Sequence, residues 1–145
     1  MSALDALRTV GFVAAGEWVL EGAVLTLRLH TLAAASDILY AFLDGDAVLY
    51  IGVSTRTLGQ RMRGYARPGP TQRTNLANHA RLTALLSHGH AVSIWVFAPT
   101  EVVTYRVIAL NIAAGLEGPL IARLRPPWNR RGRHRDVIAD EDGMA

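Results

Sequence analysis

The sequence predicts an α/β (α+β) domain: a small, mainly antiparallel sheet with a three-stranded core, flanked by helices and carrying an N-terminal strand extension. Three observations predict it. Short apolar runs rich in β-branched and aromatic residues stand at 38–43 (ILYAFL), 47–53 (AVLYIGV) and 91–98 (AVSIWVFA), and each has the length of a strand. The stretches between and after them start on capping residues and stop at glycine or proline, as helices do. Half of the 145 residues are apolar, enough for one domain of this length to bury a core.

Taken in order, residues 1–36 form the extension. AVLTLRLH (23–30) alternates, so Leu25, Leu27 and Leu29 share one face and Thr26, Arg28 and His30 the other, the pattern of a half-buried strand. GEWVL (16–20) reads as a further short strand before it. The core domain is expected over 37–132. Asp44-Gly45-Asp46 joins the first two core strands as a hairpin. Read as a three-residue loop, it sets Leu43 against Ala47 and places Tyr40 directly opposite Tyr50 on one face. A two-residue loop would shift the register by one and separate them.

TLGQRMRGY (57–65) then reads as a short helix with Thr55 or Thr57 as its cap, and ARPGPTQR (66–73) as a loop. TNLANHARLTALLSHG (74–89) reads as a helix opened by Thr74 and closed by Gly89. A last helix is expected within 107–124, stopped by Pro126-Pro127. Pro119 inside that span predicts either a helix start near Glu117 or a kink. Residues 133–145 read as a mobile tail.

Composition narrows the chemistry. With no cysteine, disulfides, thiolate zinc sites and Cys nucleophiles are excluded, and a reducing cytoplasm is the expected location. No run approaches about 18 apolar residues, so no membrane insertion is expected. The net charge of +3 hides an asymmetry, because residues 56–135 hold thirteen arginines against only Glu101 and Glu117. Such a basic block suggests a polyanionic partner, since phosphate neutralisation dominates nucleic-acid affinity.

Within the block and just before it lies an ordered set: Ile38-Leu39-Tyr40, then Tyr50-Ile51-Gly52, then Arg61 with Tyr65 four residues on, then Glu117 and Asn129. Arg61 and Tyr65 share a helix face. The planar fork of arginine suits a phosphate, and a carboxylate in basic surroundings suits a hard cation such as Mg²⁺. Phosphodiester hydrolysis needs an activated water and charge stabilisation at the phosphoryl oxygens, which these residue types would supply. A free tyrosine ionises near pH 10, so a tyrosine acting as base needs a cation beside it. Which tyrosine would take the proton stays open. Gly52 is expected to let the strand turn away without blocking the phosphate.

This set resembles the GIY-YIG nuclease family, over about Ser36 to Arg131. The first half-motif has Ile38 where the family has glycine, and the second is intact. The resemblance implies a GIY-YIG-like fold and a metal-dependent DNA endonuclease. Its site would consist of Tyr40, Tyr50, Arg61 (one residue later than the commonest spacing), Tyr65, Glu117 and Asn129, with Glu117 holding Mg²⁺ or Mn²⁺. DNA contacts are expected from Arg56, Arg63, Arg67, Arg73, Arg130, Arg131 and Arg133, and from His79 if the second helix faces the DNA. Target recognition would have to come from the 66–74 loop, the N-terminal segment, a homodimer or a partner protein, since no zinc-finger spacing or helix-turn-helix is present. The alternatives are a nucleic-acid-binding module without catalysis and an accessory subunit of a repair or restriction assembly.

Overall fold

Residues 38–43 are apolar without alternation, as in a strand covered on both faces. The computed structural model, which describes residues 1–129, explains the pattern. Its elements are α1 (Ala3–Val10), β1 (Val13–Glu21), β2 (Val24–Leu29), β3 (Ile38–Asp44), β4 (Ala47–Ser54), α2 (Leu58–Ala66), α3 (Arg73–Ser87), β5 (Val92–Phe97), β6 (Thr104–Tyr105), β7 (Ile108–Ala109) and α4 (Ile112–Leu124). Five strands pair in the order β2-β1-β5-β3-β4, and every pairing is antiparallel. On one face Trp18, Tyr40, Phe42 and Ile94 pack against Leu58, Met62 and Tyr65 of α2 and Leu82 of α3. On the other, Leu39, Ala41 and Ile51 pack against Leu4 and Leu7 of α1 and Ala113 and Leu120 of α4. Among the described residues no helix is long and apolar enough to cross a membrane.

The N-terminal segment is more extensive than its sequence pattern predicts. The short strand expected at 16–20 is a nine-residue strand that pairs with both β2 and β5, so the extension and the core strands form one continuous sheet. α1 escapes the periodicity reading because two turns are below the length at which a helix is stable by itself. It is held by a Ser2–Asp5 capping box, by Gly11 at φ 122 and by burial of Leu4 and Leu7. β6 and β7 form a separate small hairpin whose Tyr105, Val107 and Ile108 are exposed.

The β3–β4 turn differs from expectation. Asp44 pairs with Ala47 and Leu43 with Val48, so the loop has two residues rather than three. That register by itself would put Tyr40 and Tyr50 on opposite faces. A bulge then intervenes, and beyond it Phe42 pairs with Tyr50 and Tyr40 with Gly52. One extra residue restores the parity that the turn removed. Tyr40 and Tyr50 therefore project from the same face, but they are not opposite one another.

The helix ends carry two further corrections. Thr57 caps α2 through a capping box with Gln60, while Leu58 N and Gly59 N donate to the carbonyls of Ala35 and Ala33 at 2.9 Å. A helix N-terminus can hold an anion, but here its N–H groups are spent on the chain itself. α3 starts at Arg73 with Gln72 at its cap and no side-chain cap hydrogen bond, so Thr74 is not the cap. α4 starts at Ile112, where Asn111 accepts from Ala114 N at 3.0 Å, not near Glu117. Pro119 lies inside it, and the helix continues to Leu124. The hydrogen bond that proline lacks would have reached the carbonyl of Gly115, which is exposed.

Candidate active site

The alternation of β3 and β4 delivers Tyr40, Phe42 and Tyr50 to the face that α2 covers, and Tyr65 descends from α2 to meet them. Phe42 lies at the centre of the cluster, with ring centroids 5.8 Å from Tyr40, 5.9 Å from Tyr50 and 5.3 Å from Tyr65. The hydroxyls of Tyr40 and Tyr65 share a hydrogen bond of 2.5 Å. Phe42 carries no polar atom and gave no sequence signal, yet it packs against all three tyrosines.

Gly52 has a different reason from the expected one. It stands opposite Tyr40 on the neighbouring strand, and the phenol ring of Tyr40 lies across it, so that a Cβ there would collide with Cζ and the hydroxyl oxygen. The glycine makes room for a side chain of the site itself.

Arg61 is 6 % exposed, an unusual degree of burial for a charge. It is held by several partners. Nη1 donates to Asn75 Oδ1 at 2.9 Å and Nη2 to the Tyr65 hydroxyl at 2.7 Å, and the guanidinium lies 4.2 Å from the Tyr65 ring centroid. Burial works against its charge, but the facing tyrosine oxygens outweigh that effect and raise its pKa. Asn75 was missed by the sequence reading, since one asparagine within a helical run has no distinguishing pattern. His79 is turned toward the protein, with Nδ1 2.7 Å from the carbonyl oxygen of Tyr65.

The three tyrosines are pushed up from the ordinary value, in each case chiefly by burial, with Arg61 opposing. The charge of Arg61 by itself therefore does not offset the effect of burial on any of them. Glu117, half-buried on α4, is also raised by burial. It is near enough for its charge to add to the upward push on Tyr40 and Tyr50. Among the described residues it has no ion pair, and no group of three or more His, Cys, Asp or Glu is positioned to hold a metal. One desolvated carboxylate without a positive partner fits Mg²⁺, which keeps several waters and takes its remaining ligands from phosphate. It does not fit a cation that requires a full cage of protein ligands.

Asn129 binds the outer edge of β4. Its Oδ1 accepts from Ile51 N and its Nδ2 donates to Ile51 O, both at 2.9 Å, while Trp128 N donates to Leu49 O at 2.9 Å. A side-chain amide thus stands in for a neighbouring strand, fixing the backbone between Tyr50 and Gly52. Arg56, Arg63, Arg67 and Arg73 are exposed. Arg130, Arg131 and Arg133 lie outside the described residues, as does the segment 133–145 expected to be a tail.

No family model matches the chain, and no curated protein matches its sequence. Solved structures do resemble it. A point mutant of bacteriophage T4 EndoII, a GIY-YIG nuclease, superposes with a TM-score of 0.68 at 16 % identity, covering 89 % of this chain and 99 % of that one. The restriction endonuclease Hpy188I in complex with product DNA superposes with a TM-score of 0.51 at 17 % identity, covering 86 % of this chain and 82 % of the other. At this level of identity the likeness concerns the fold, and with a mainly antiparallel sheet flanked by four helices the chain has the GIY-YIG nuclease fold.

Proposed function

We propose that the protein is a metal-dependent endonuclease that hydrolyses phosphodiester bonds in DNA. The observation that carries this reading is a buried, firmly held Arg61 against the tyrosine cluster, together with a half-buried Glu117 that has no ion pair among the described residues and whose charge is felt at Tyr40 and Tyr50. Arg61 commits donors to Asn75 and Tyr65 and keeps others for an anion, because a guanidinium has five. It would bind the scissile phosphate and stabilise the charge that grows there. Tyr40, Tyr50 and Tyr65 enter as neutral phenols and orient the phosphate and the attacking water by hydrogen bonds. Glu117 would hold Mg²⁺ or Mn²⁺, which supplies polarisation of a phosphoryl oxygen and a more acidic water. Asn129 keeps the Tyr50–Gly52 backbone in place and touches no reacting atom. The likeness to a restriction enzyme solved with product DNA also supports DNA as the substrate. Cleavage directed by DNA structure, or unspecific cleavage, is preferred over restriction of a defined sequence.

The test is nicking of supercoiled plasmid with Mg²⁺ or Mn²⁺. Cleavage that disappears with chelator and in Glu117→Ala is the expected result. DNA binding that weakens with salt, with no metal-dependent nicking, would establish a binding module instead.

A further inference from the structure

α3 presents two residues one turn apart to two residues one turn apart on α2. Asn75 accepts from Arg61 and, four residues on, His79 Nδ1 donates to the carbonyl oxygen of Tyr65. The two spacings match, so one face of α3 braces one face of α2. Gly64 lies between them. A Cβ there would be 3.2 Å from Asn75 Nδ2 and 3.4 Å from Arg61 Nη1, so the glycine leaves the approach clear.

Asn75 is 2 % exposed, and its amide is used at both ends. Oδ1 accepts from Arg61 at 2.9 Å, Nδ2 donates to Gln72 Oε1 at 2.9 Å, and that same Gln72 oxygen accepts from Gly69 N at 2.8 Å. The amide cannot flip, because reversal would set a donor against the guanidinium and an acceptor against Gln72. A continuous set of hydrogen bonds therefore runs from the Pro-Gly loop, which lies between exposed Arg67 and Arg73, through Gln72 and Asn75 to Arg61.

We propose that Asn75 is a positioning residue for Arg61, and that Gln72 couples it to the 67–72 loop, so that the plane of the guanidinium depends on the placement of that loop. The inference rests on the reading of Arg61 as the phosphate-binding group. The reason is geometric. A guanidinium held at only one terminal nitrogen can still turn about its Nε–Cζ bond, whereas Tyr65 at Nη2 and Asn75 at Nη1 together fix the fork.

Two measurements test it. The first needs no activity: NMR of the Arg61 guanidinium in the full chain. Slow rotation with separate Nη signals is expected in the wild type. Asn75→Ala should merge or broaden them, Asn75→Asp should keep them because a carboxylate oxygen still accepts, and Gln72→Ala should loosen them partially. The second is cleavage kinetics. Asn75→Ala should lower kcat by roughly 100-fold, the order expected for a misplaced group, with KM changed much less, and Asn75→Asp should recover most of it. Unchanged Arg61 signals in a folded Asn75→Ala protein overturn the proposal. If that variant does not fold, unchanged signals in Gln72→Ala overturn it. Loss in KM as large as in kcat, with no recovery by Asn75→Asp, marks a merely structural residue and also overturns it. Loosened Arg61 signals in a chain that never cleaves DNA sustain the positioning role and remove the nuclease reading alone.

Discussion

The two charged residues of the candidate site are built in opposite ways. Arg61, contributed by α2, is almost fully buried and finds a partner for each terminal nitrogen in Asn75 and Tyr65. Glu117, contributed by a helix on the opposite face of the sheet, is half-buried and has no ion pair among the described residues. A buried charge with partners is tolerated, whereas one without them raises its own cost of ionisation. Among the described residues the cationic half has its partners and the anionic half does not. What would complete it is a positive ion.

The largest effect that would break this contrast is at Glu117. Glu117→Ala should abolish turnover while DNA remains bound, with equal or higher affinity because a negative charge is gone. A variant that cuts plasmid at the wild-type rate would mean Glu117 is an ordinary helix charge. Next comes Arg61→Ala, which should raise the barrier by about 3 kcal/mol, as for removal of one donor to a developing oxyanion. Arg61→Lys should not restore full activity, since an ammonium lacks the planar two-pronged geometry that spans Asn75 and Tyr65. Arg63→Ala should be felt in KM rather than kcat. If its kcat fell as far as that of Arg61→Ala, the wrong arginine would have been placed in the site.

Gly52→Ala separates fold from chemistry. The added methyl meets the Tyr40 ring, and overpacking of this kind costs about 1–3 kcal/mol, measurable by denaturant unfolding. No loss of stability would mean that the Tyr40 ring does not lie across Gly52.

Proton linkage sharpens the contrast further. The carboxyl of Glu117 is raised above its ordinary value by burial, so the folded state loses stability as pH rises from the ordinary carboxyl value through the raised one and is fully relieved only below the ordinary value. Glu117→Gln should therefore raise the unfolding midpoint at neutral pH and not in acid, and Mg²⁺ should raise the midpoint of the wild type only. The tyrosines are raised as well. Their contribution is fully present below about pH 10, the ionisation point of an unfolded tyrosine, and is lost as pH rises beyond it. Absorbance titration should show Tyr40, Tyr50 and Tyr65 ionising only beyond the ordinary tyrosine range. Early ionisation of one of them would identify a base that the fold has prepared. The smallest effect is expected at the exposed arginines. Replacing Arg67 or Arg73 should reduce the log–log salt slope of duplex binding by about 0.9 for each phosphate that is no longer neutralised.

Much of this architecture is local and therefore readable in the chain. The apolar runs of β3, β4 and β5, the Thr57 cap of α2 and the Pro126-Pro127 stop after α4 need only near neighbours to express themselves. Tyr40, Tyr50, Arg61 and Tyr65 are likewise legible, because alternation along strands and the i,i+4 spacing of a helix aim side chains without reference to the rest of the fold. Asn129 could be read as a residue that ties the chain back, but its partner, the free edge of β4 at Ile51, could not.

What only the tertiary structure decided depends on groups far apart in sequence. The two-residue turn taken alone would separate Tyr40 and Tyr50, and a single bulged residue in β4 restores the shared face that the sequence predicts, because a register of period two is reversed by any one insertion. The role of Gly52 is set by a ring on the neighbouring strand, and that of Asn75 by a guanidinium on another helix. The tyrosine pKa values rise because packing excludes water, and the nearby charge of Arg61 only opposes that rise. The sequence by itself determined which tyrosines, arginine and glutamate stand as candidates for the site, but not Phe42 or Asn75, which pack against them. Burial and register, which arise only when distant segments pack, decided which of them face one another and in what protonation state.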